Sequence, residues 1–153
     1  MSGDKMRILI TGGAGYLGSA LVELLLTAGH HVTVVDTFMY GQTGLAPLCV
    51  NSNLRLVRAD AANVYLWKEF LGGCDVVIPL AAIVGAPACK RNITLAQRVN
   101  FDAIKELMGE LHKDVWLLYP NTNSGYGHGG RRECVETDPL EPISAYGQQK
   151  VLA

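Results

Sequence analysis

Short apolar runs alternate along the chain with stretches whose apolar residues recur every three or four positions. Residues 6–11 (MRILIT) are apolar at almost every position, which predicts a strand buried on both faces. A glycine-rich turn follows. Leu17, Ala20, Leu21, Leu24, Leu25 and Ala28 then keep helical spacing up to a stop at Gly29. Residues 31–36 (HVTVVD) and 54–60 (LRLVRAD) predict strands two and three, and 64–71 (VYLWKEFL) a short helix ended by Gly72 and Gly73. Strand four is expected over 74–82 (CDVVIPLAA), a longer helix over 94–112, and strand five over 115–120 (VWLLYP). Residues 121–143 are rich in Gly, Pro and charge and read as an extended loop. Ser144 can then cap a helix that carries Tyr146 and Lys150 in its first turns.

Strands alternating with helices predict an α/β fold whose parallel sheet is covered on both faces, and right-handed crossovers make it doubly wound. The 153 residues suffice for one domain with a real core, and 49% hydrophobic with 18% charged residues is a globular composition. The net charge of −1 offers no general attraction to nucleic acid or anionic membrane. The pairs Arg131-Arg132 and Lys90-Arg91 read as solvated positions. No secretory signal opens the chain, and no apolar stretch approaches the roughly 20 residues of a membrane span. Cys49, Cys74, Cys89 and Cys134 lie far apart without a CxxC pair, so they read as reduced thiols of a cytoplasmic protein. The four histidines show no ligand spacing, and no metal is expected.

The turn between strand one and helix one reads TGGAGYLG, with Gly12, Gly15 and Gly18 spaced three and three. Strand before and helix after are the context a dinucleotide-binding turn requires. Gly12 permits the tight turn, Gly15 lets a pyrophosphate approach the backbone, and Gly18 lets the helix pack closely on the sheet. The helix N-terminus offers N–H groups and a positive dipole to the phosphates. Asp36, at the end of strand two, can accept both ribose hydroxyls of adenosine and would repel a 2′-phosphate. Thr37, Phe38 and Met39 follow it with no cation, which favours NAD over NADP. Asp60 ends strand three, at the edge expected to face adenine.

Tyr146 and Lys150, four apart, stack a phenol and an ammonium on one helix face. A neighbouring ammonium favours the phenolate, which can then take a proton from a sugar hydroxyl while hydride leaves the same carbon. Thr122, Asn123 and Ser124 follow strand five, at the carboxyl edge where such sheets bind ligands, and any hydroxyl there can polarise the substrate oxygen.

Together TGGAGYLG, Asp36, Asp60 in RAD, LAA at Leu80 to Ala82, Asn100 in VNFDAIKEL, NTNSGYG, DPLEPISAYG and Lys150 span nearly the whole chain in order. The set resembles the extended short-chain dehydrogenase/reductase family, specifically its NAD-dependent sugar epimerase/dehydratase group. The resemblance implies an NAD-binding Rossmann fold over residues 1–153. It implies cofactor contacts by Gly12, Gly15, Tyr16, Leu17, Gly18, Asp36, Asp60, Ala61, Leu80, Ala81, Ala82, Asn100, Tyr146 and Lys150. In this family the catalytic Ser or Thr lies four residues before the Tyr of a YG pair, here Tyr126-Gly127. That points to Thr122 ahead of Ser124, which remains a candidate substrate contact. Tyr146 becomes the acid or base and Lys150 its partner. The loop from Ile83 to Pro87 is expected near cofactor and substrate, and Asn100 is expected to steady the sheet edge.

The implied activity is epimerisation of a UDP- or dTDP-hexose by oxidation and reduction at C4. The alternatives are an NAD-dependent dehydratase or reductase of a nucleotide sugar, or an NAD-binding module without chemistry. The 4,6-dehydratases carry an Asp-Glu pair after the catalytic Thr; Asn123-Ser124 stands here, and an amide and a hydroxyl do not replace that acid and base. Many members read YGxSK, whereas Gln148 and Gln149 precede Lys150 in this chain. The family's further region, which builds the nucleotide-sugar pocket, has no counterpart within residue 153. This chain alone is therefore expected to bind NAD weakly and turn over little, and its parent protein is expected to be a homodimer.

Overall fold

The computed structural model describes residues 4–128 and 133–153. The Arg131-Arg132 pair lies outside them. The chain divides into two compact units, Met1–Ala81 with Glu106–Pro120, and Ala82–Lys105 with Asn121–Ala153.

The first unit is built on a five-stranded sheet in the order β3-β2-β1-β4-β5. Its strands are β1 (Arg7–Thr11), β2 (His31–Asp36), β3 (Leu54–Arg58), β4 (Val76–Pro79) and β5 (Trp116–Leu117). All pairings are parallel, with Ile10 opposite Val34 on one side and Ile78 on the other. Because the strands are parallel, the turns after β1 and β4 leave the same carboxyl edge, and the strand order reverses between these two. Successive strand residues face opposite ways. Ile8, Ile10, Val32, Val34, Val76 and Ile78 pack on helix α1 (Tyr16–Thr27) through Val22 and Leu26. Leu9, Val35 and Val77 pack on the other face against Val64, Trp67, Leu71 and Leu107.

The helical stripe of α1 differs from the expected one. Gly18, Val22 and Leu26 are its buried positions, and Leu21 and Leu25 of the expected stripe pack partly buried against the core, while Leu17 and Leu24 are 60% and 68% exposed. Apolar residues surround this helix, so their spacing alone does not choose a face; close packing at Gly18 does. The helix expected over 64–71 is two 3-10 turns, Val64–Leu66 and Lys68–Leu71. Between them Trp67 leaves helical backbone (φ −141°) as its indole enters the core. Strand five is shorter than the sequence suggests.

In the second unit the helix expected over 94–112 begins earlier and is interrupted. Helix α2 (Ala86–Arg91) follows Gly85, whose φ of +85° admits a turn that L side chains rarely adopt. Pro87 therefore lies in the first turn of α2 rather than in a loop, where its missing N–H costs nothing. Asn92 caps helix α3 (Ile93–Gln97), its side chain accepting from Leu95 N–H at 3.0 Å. A π turn, Arg98–Asp102, then leads into α4 (Ala103–Glu110), which continues into the first unit. A 3-10 turn at Asn123–Tyr126 falls where the sequence reads as loop, and α5 (Ala145–Leu152) closes the unit. As expected, Ser144 caps α5, its Oγ accepting from Gly147 N–H at 3.0 Å. No helix among the described residues is long and apolar enough to cross a membrane.

Candidate functional site

In the first unit the glycine turn leaves β1 with Gly12 at φ +71°. A Cβ on Gly12 would stand 2.6 Å from Ala81 N, so the turn passes directly against the chain leaving β4. That approach is held by Leu80 N–H donating to Thr11 O at 2.9 Å and Ala81 N–H donating to Thr11 Oγ1 at 3.4 Å. Thr11, buried at the end of β1, is a linking residue that the glycine spacing does not reveal. A Cβ on Gly18 would meet Gly12 O and Gly13 Cα at 2.6 Å, so Gly18 seats α1 on the turn itself rather than on the sheet. Gly13 is needed too: a Cβ there would collide with the Val34 side chain at 2.8 Å. Only the second half of the GG pair could have signalled this in the sequence.

Gly15 is different, since its Cβ would meet only Gly12 O, at 3.2 Å. Helix α1 starts there with no side-chain cap and no acid in its first turn, leaving its first N–H groups to a ligand. Tyr16, at 99% exposure, and Leu17 stand in solvent on that turn. Asp36 is buried; its Oδ2 accepts from Ala14 N–H at 3.0 Å and its Oδ1 from Phe38 N–H at 2.9 Å. The carboxylate thus ties the end of β2 to the glycine turn, and each oxygen retains a lone pair for a ribose hydroxyl. Asp60 Oδ1 accepts from Ala62 N–H at 2.9 Å and shapes the turn after β3, placing Ala61 half-buried within it. This cradle fits a dinucleotide: open backbone at Gly15, free helix N–H groups, and a carboxylate held one strand away.

In the second unit Thr122 Oγ1 and Ser124 Oγ lie 2.8 Å apart, and Thr122 Oγ1 accepts from Ser124 N–H at 3.3 Å. The turn they form docks on α5. A Cβ on Gly147 would be 3.0 Å from Ser124 O, and one on Gly125 would be 2.9 Å from Val151 Cγ2. These two glycines, whose spacing carries no signal in the sequence, bring the Thr122 turn beside the helix that carries Tyr146 and Lys150.

Lys150 is buried at 6% exposure, and burial lowers its pKa from 10.5 to about 8. Burial pushes the Tyr146 phenol up from 10, and the Cys89 thiol group nearby adds to the rise. This direction is opposite to the expected activation by Lys150. Desolvation penalises the phenolate and the ammonium alike, so each suppresses the charge that would favour its neighbour. Asn100, expected as a cofactor contact, is 2% exposed, with its amide directed at Ile83, Cys89 and Gln149. Both Ile83 backbone groups are bound by this amide.

The parallel sheet, its order reversal and the glycine cradle define a dinucleotide-binding α/β protein. Residues 8–153 match the NAD dependent epimerase/dehydratase family, and the chain belongs to that family of enzymes. It is 59% identical over 158 residues to UDP-glucuronic acid decarboxylase 1 of Xenopus tropicalis, covering 98% of this chain and 36% of the relative. It is 31% identical to UDP-glucose 4-epimerase of Corynebacterium glutamicum, covering 95% of this chain and 44% of the relative. Among solved structures, UDP-glucuronic acid 4-epimerase from Bacillus cereus, in complex with UDP-glucuronic acid and NAD, superposes with a TM-score of 0.82. That match has 30% identity and covers 96% of this chain and 49% of the other. The chain thus spans less than half the length of these relatives, and its wider relatives are nucleotide-sugar epimerases, dehydratases and decarboxylases.

Proposed function

We propose that this chain is the cofactor-binding and acid–base part of an NAD-dependent nucleotide-sugar epimerase that works by oxidation and reduction at the sugar C4. The observation that carries this reading is the Thr122–Ser124 hydroxyl pair docked on the first turns of α5, in the family's own order before Tyr146 and Lys150. NAD, when bound, supplies a hydride acceptor and later returns the hydride. The chain's residues manage the proton and the oxygen. Thr122 Oγ1 donates a hydrogen bond to the C4 oxygen, and Tyr146 Oη takes the hydroxyl proton as the C–H pair of electrons leaves the carbon. The protonated Tyr146 then returns that proton when hydride arrives at the other face of the carbonyl. The raised Tyr146 pKa suits this second half, in which the phenol donates; before the first half Tyr146 gives up its own proton to solvent, so that Oη is free to accept. Lys150, with a pKa of about 8, stays largely protonated there and favours the phenolate in the first half.

Asn123 and Ser124 provide neither the acid nor the base that elimination of water requires, which argues against a dehydratase. Likeness to a UDP-glucuronic acid decarboxylase favours a second reading with the same first step. Oxidation at C4 of a uronic acid creates a β-keto acid, which loses CO2 without a further protein group. Product analysis separates these outcomes. The protein, in excess over sugar and supplied with NAD, is incubated with UDP-glucose, UDP-glucuronate and dTDP-glucose. An epimer keeps the substrate mass, a decarboxylase product has lost CO2, and a dehydratase product has lost water. Tyr146→Phe is expected to lower the rate by about 10²–10⁴-fold, with NAD affinity by calorimetry within about twofold. Product formed by Tyr146→Phe at the wild-type rate would remove the acid–base assignment of Tyr146, whereas NAD binding without product from the wild-type protein would leave a binding module.

A further inference from the structure

Gln149 stands where the YGxSK pattern places a serine. Its side chain is 5% exposed, and its Oε1 accepts from Asn100 Nδ2 at 3.0 Å. The backbone N–H of Ile83 can only donate, so the Asn100 atom facing it at 2.8 Å is Oδ1. The two protons on Nδ2 then go to Ile83 O at 3.0 Å and to Gln149. The Asn100 amide thereby donates both of its protons and accepts one bond. Ile83 O also accepts from the Cys89 thiol at 3.2 Å. The Ile83 loop, α2, the π turn and α5 therefore meet at one buried amide, and Gln149 is the member contributed by α5. Along that helix Gln149 lies three residues after Tyr146 and one before Lys150. A roll of α5 that breaks the Gln149–Asn100 bond moves both. A serine is two carbons shorter and cannot span the same gap.

We propose that Gln149 is a positioning residue. Through Asn100 it locks the rotation of α5 against the Ile83 loop and so sets where Tyr146 Oη and Lys150 Nζ point. The inference rests on the acid–base role proposed above for Tyr146. Gln149→Met keeps the volume and removes the acceptor; Gln149→Ser shortens it; Gln149→Glu keeps an acceptor oxygen at the same reach. Two readouts need no turnover. One is the resonance of tyrosine isotope-labelled at Cζ, assigned to Tyr146 by its loss in Tyr146→Phe. The other is hydrogen exchange at the Ile83 amide. Gln149→Met and Gln149→Ser are expected to shift the Tyr146 resonance and to speed Ile83 exchange about tenfold. Leu9 and Val34 amides should stay at wild-type rates, and Gln149→Glu should restore both signals. In the sugar assay kcat falls about tenfold with KM for NAD within about twofold. A wild-type Tyr146 resonance and wild-type Ile83 exchange in both Gln149→Met and Gln149→Ser overturn the inference. Absence of turnover in the wild-type protein counts instead against the acid–base reading, and the resonance and exchange data still decide the tether.

Discussion

Lys150 buries an ammonium at 6% exposure, and desolvation brings its pKa from 10.5 down to about 8. Below pH 8 the lysine is protonated in folded and unfolded chains, and the fold bears the cost of the buried charge. Between pH 8 and 10.5 the unfolded chain holds more protons than the folded one, so this group's contribution to stability rises with pH through that window. Lys150→Met removes the term. By urea denaturation, the wild-type protein should gain about 3 kcal/mol relative to this variant on going from pH 7 to pH 10.5. A stability difference that stays flat with pH would mean that the ammonium is not desolvated. Taking the difference between variant and wild type is essential, because burial raises the pKa of Cys89 and Tyr146, whose linkage runs the other way in the same alkaline range.

At the level of elements, the glycine turn and α4 show opposite uses of the same residue. Gly12 adopts φ +71°, and a Cβ there would also press on the Ala81 backbone at 2.6 Å. Gly12→Ala should cost about 3 kcal/mol from the left-handed backbone and the displaced β4 exit, and weaken NAD binding by moving the turn. Gly109, in α4, has nothing within 4 Å of a Cβ position and ordinary helical backbone. Gly109→Ala should therefore stabilise the protein by about 0.5–1 kcal/mol, through reduced freedom of the unfolded chain. Thermal melts of the two variants against wild type test both signs at once. The π turn at Arg98–Asp102 is a third device: it lets Asn100 turn its amide inward without ending the helical run.

For the molecule as a whole, each unit has its own source of cohesion. The first is held by two apolar layers on opposite faces of its sheet. Trp67 is the largest side chain buried there, and its Nε1 has no hydrogen-bond partner among the described residues. Trp67→Ala should cost about 3–5 kcal/mol of unfolding free energy, measured by chemical denaturation. Trp67→Phe should cost much less, since it removes the unpaired N–H together with part of the ring. The second unit buries the polar Asn100, Gln149 and Lys150 beside Cys89, Ala96, Ala103 and Ile104, so its cohesion draws on completed hydrogen bonds as well as on apolar area.

The sequence by itself determined the strands, their parallel order of appearance, the glycine turn and the Ser144 cap. These depend on neighbours in the chain: apolar runs, φ-permissive residues and a hydroxyl one position before a helix. Only the tertiary structure decided the rest. Which face of α1 is buried depends on Gly18 meeting Gly12 and Gly13. That Gly125 and Gly147 seat the Thr122 turn on α5 depends on Val151 and on Ser124 O, distant in sequence from one of the two partners. Burial raises the Tyr146 pKa where spacing alone predicts it lowered, because spacing reports a charge nearby but not how much water surrounds it. Gln149 carried no meaning as a letter before Lys150. It acquired one when folding brought it to Asn100, 49 residues away, because a buried amide must find its partners wherever the chain returns.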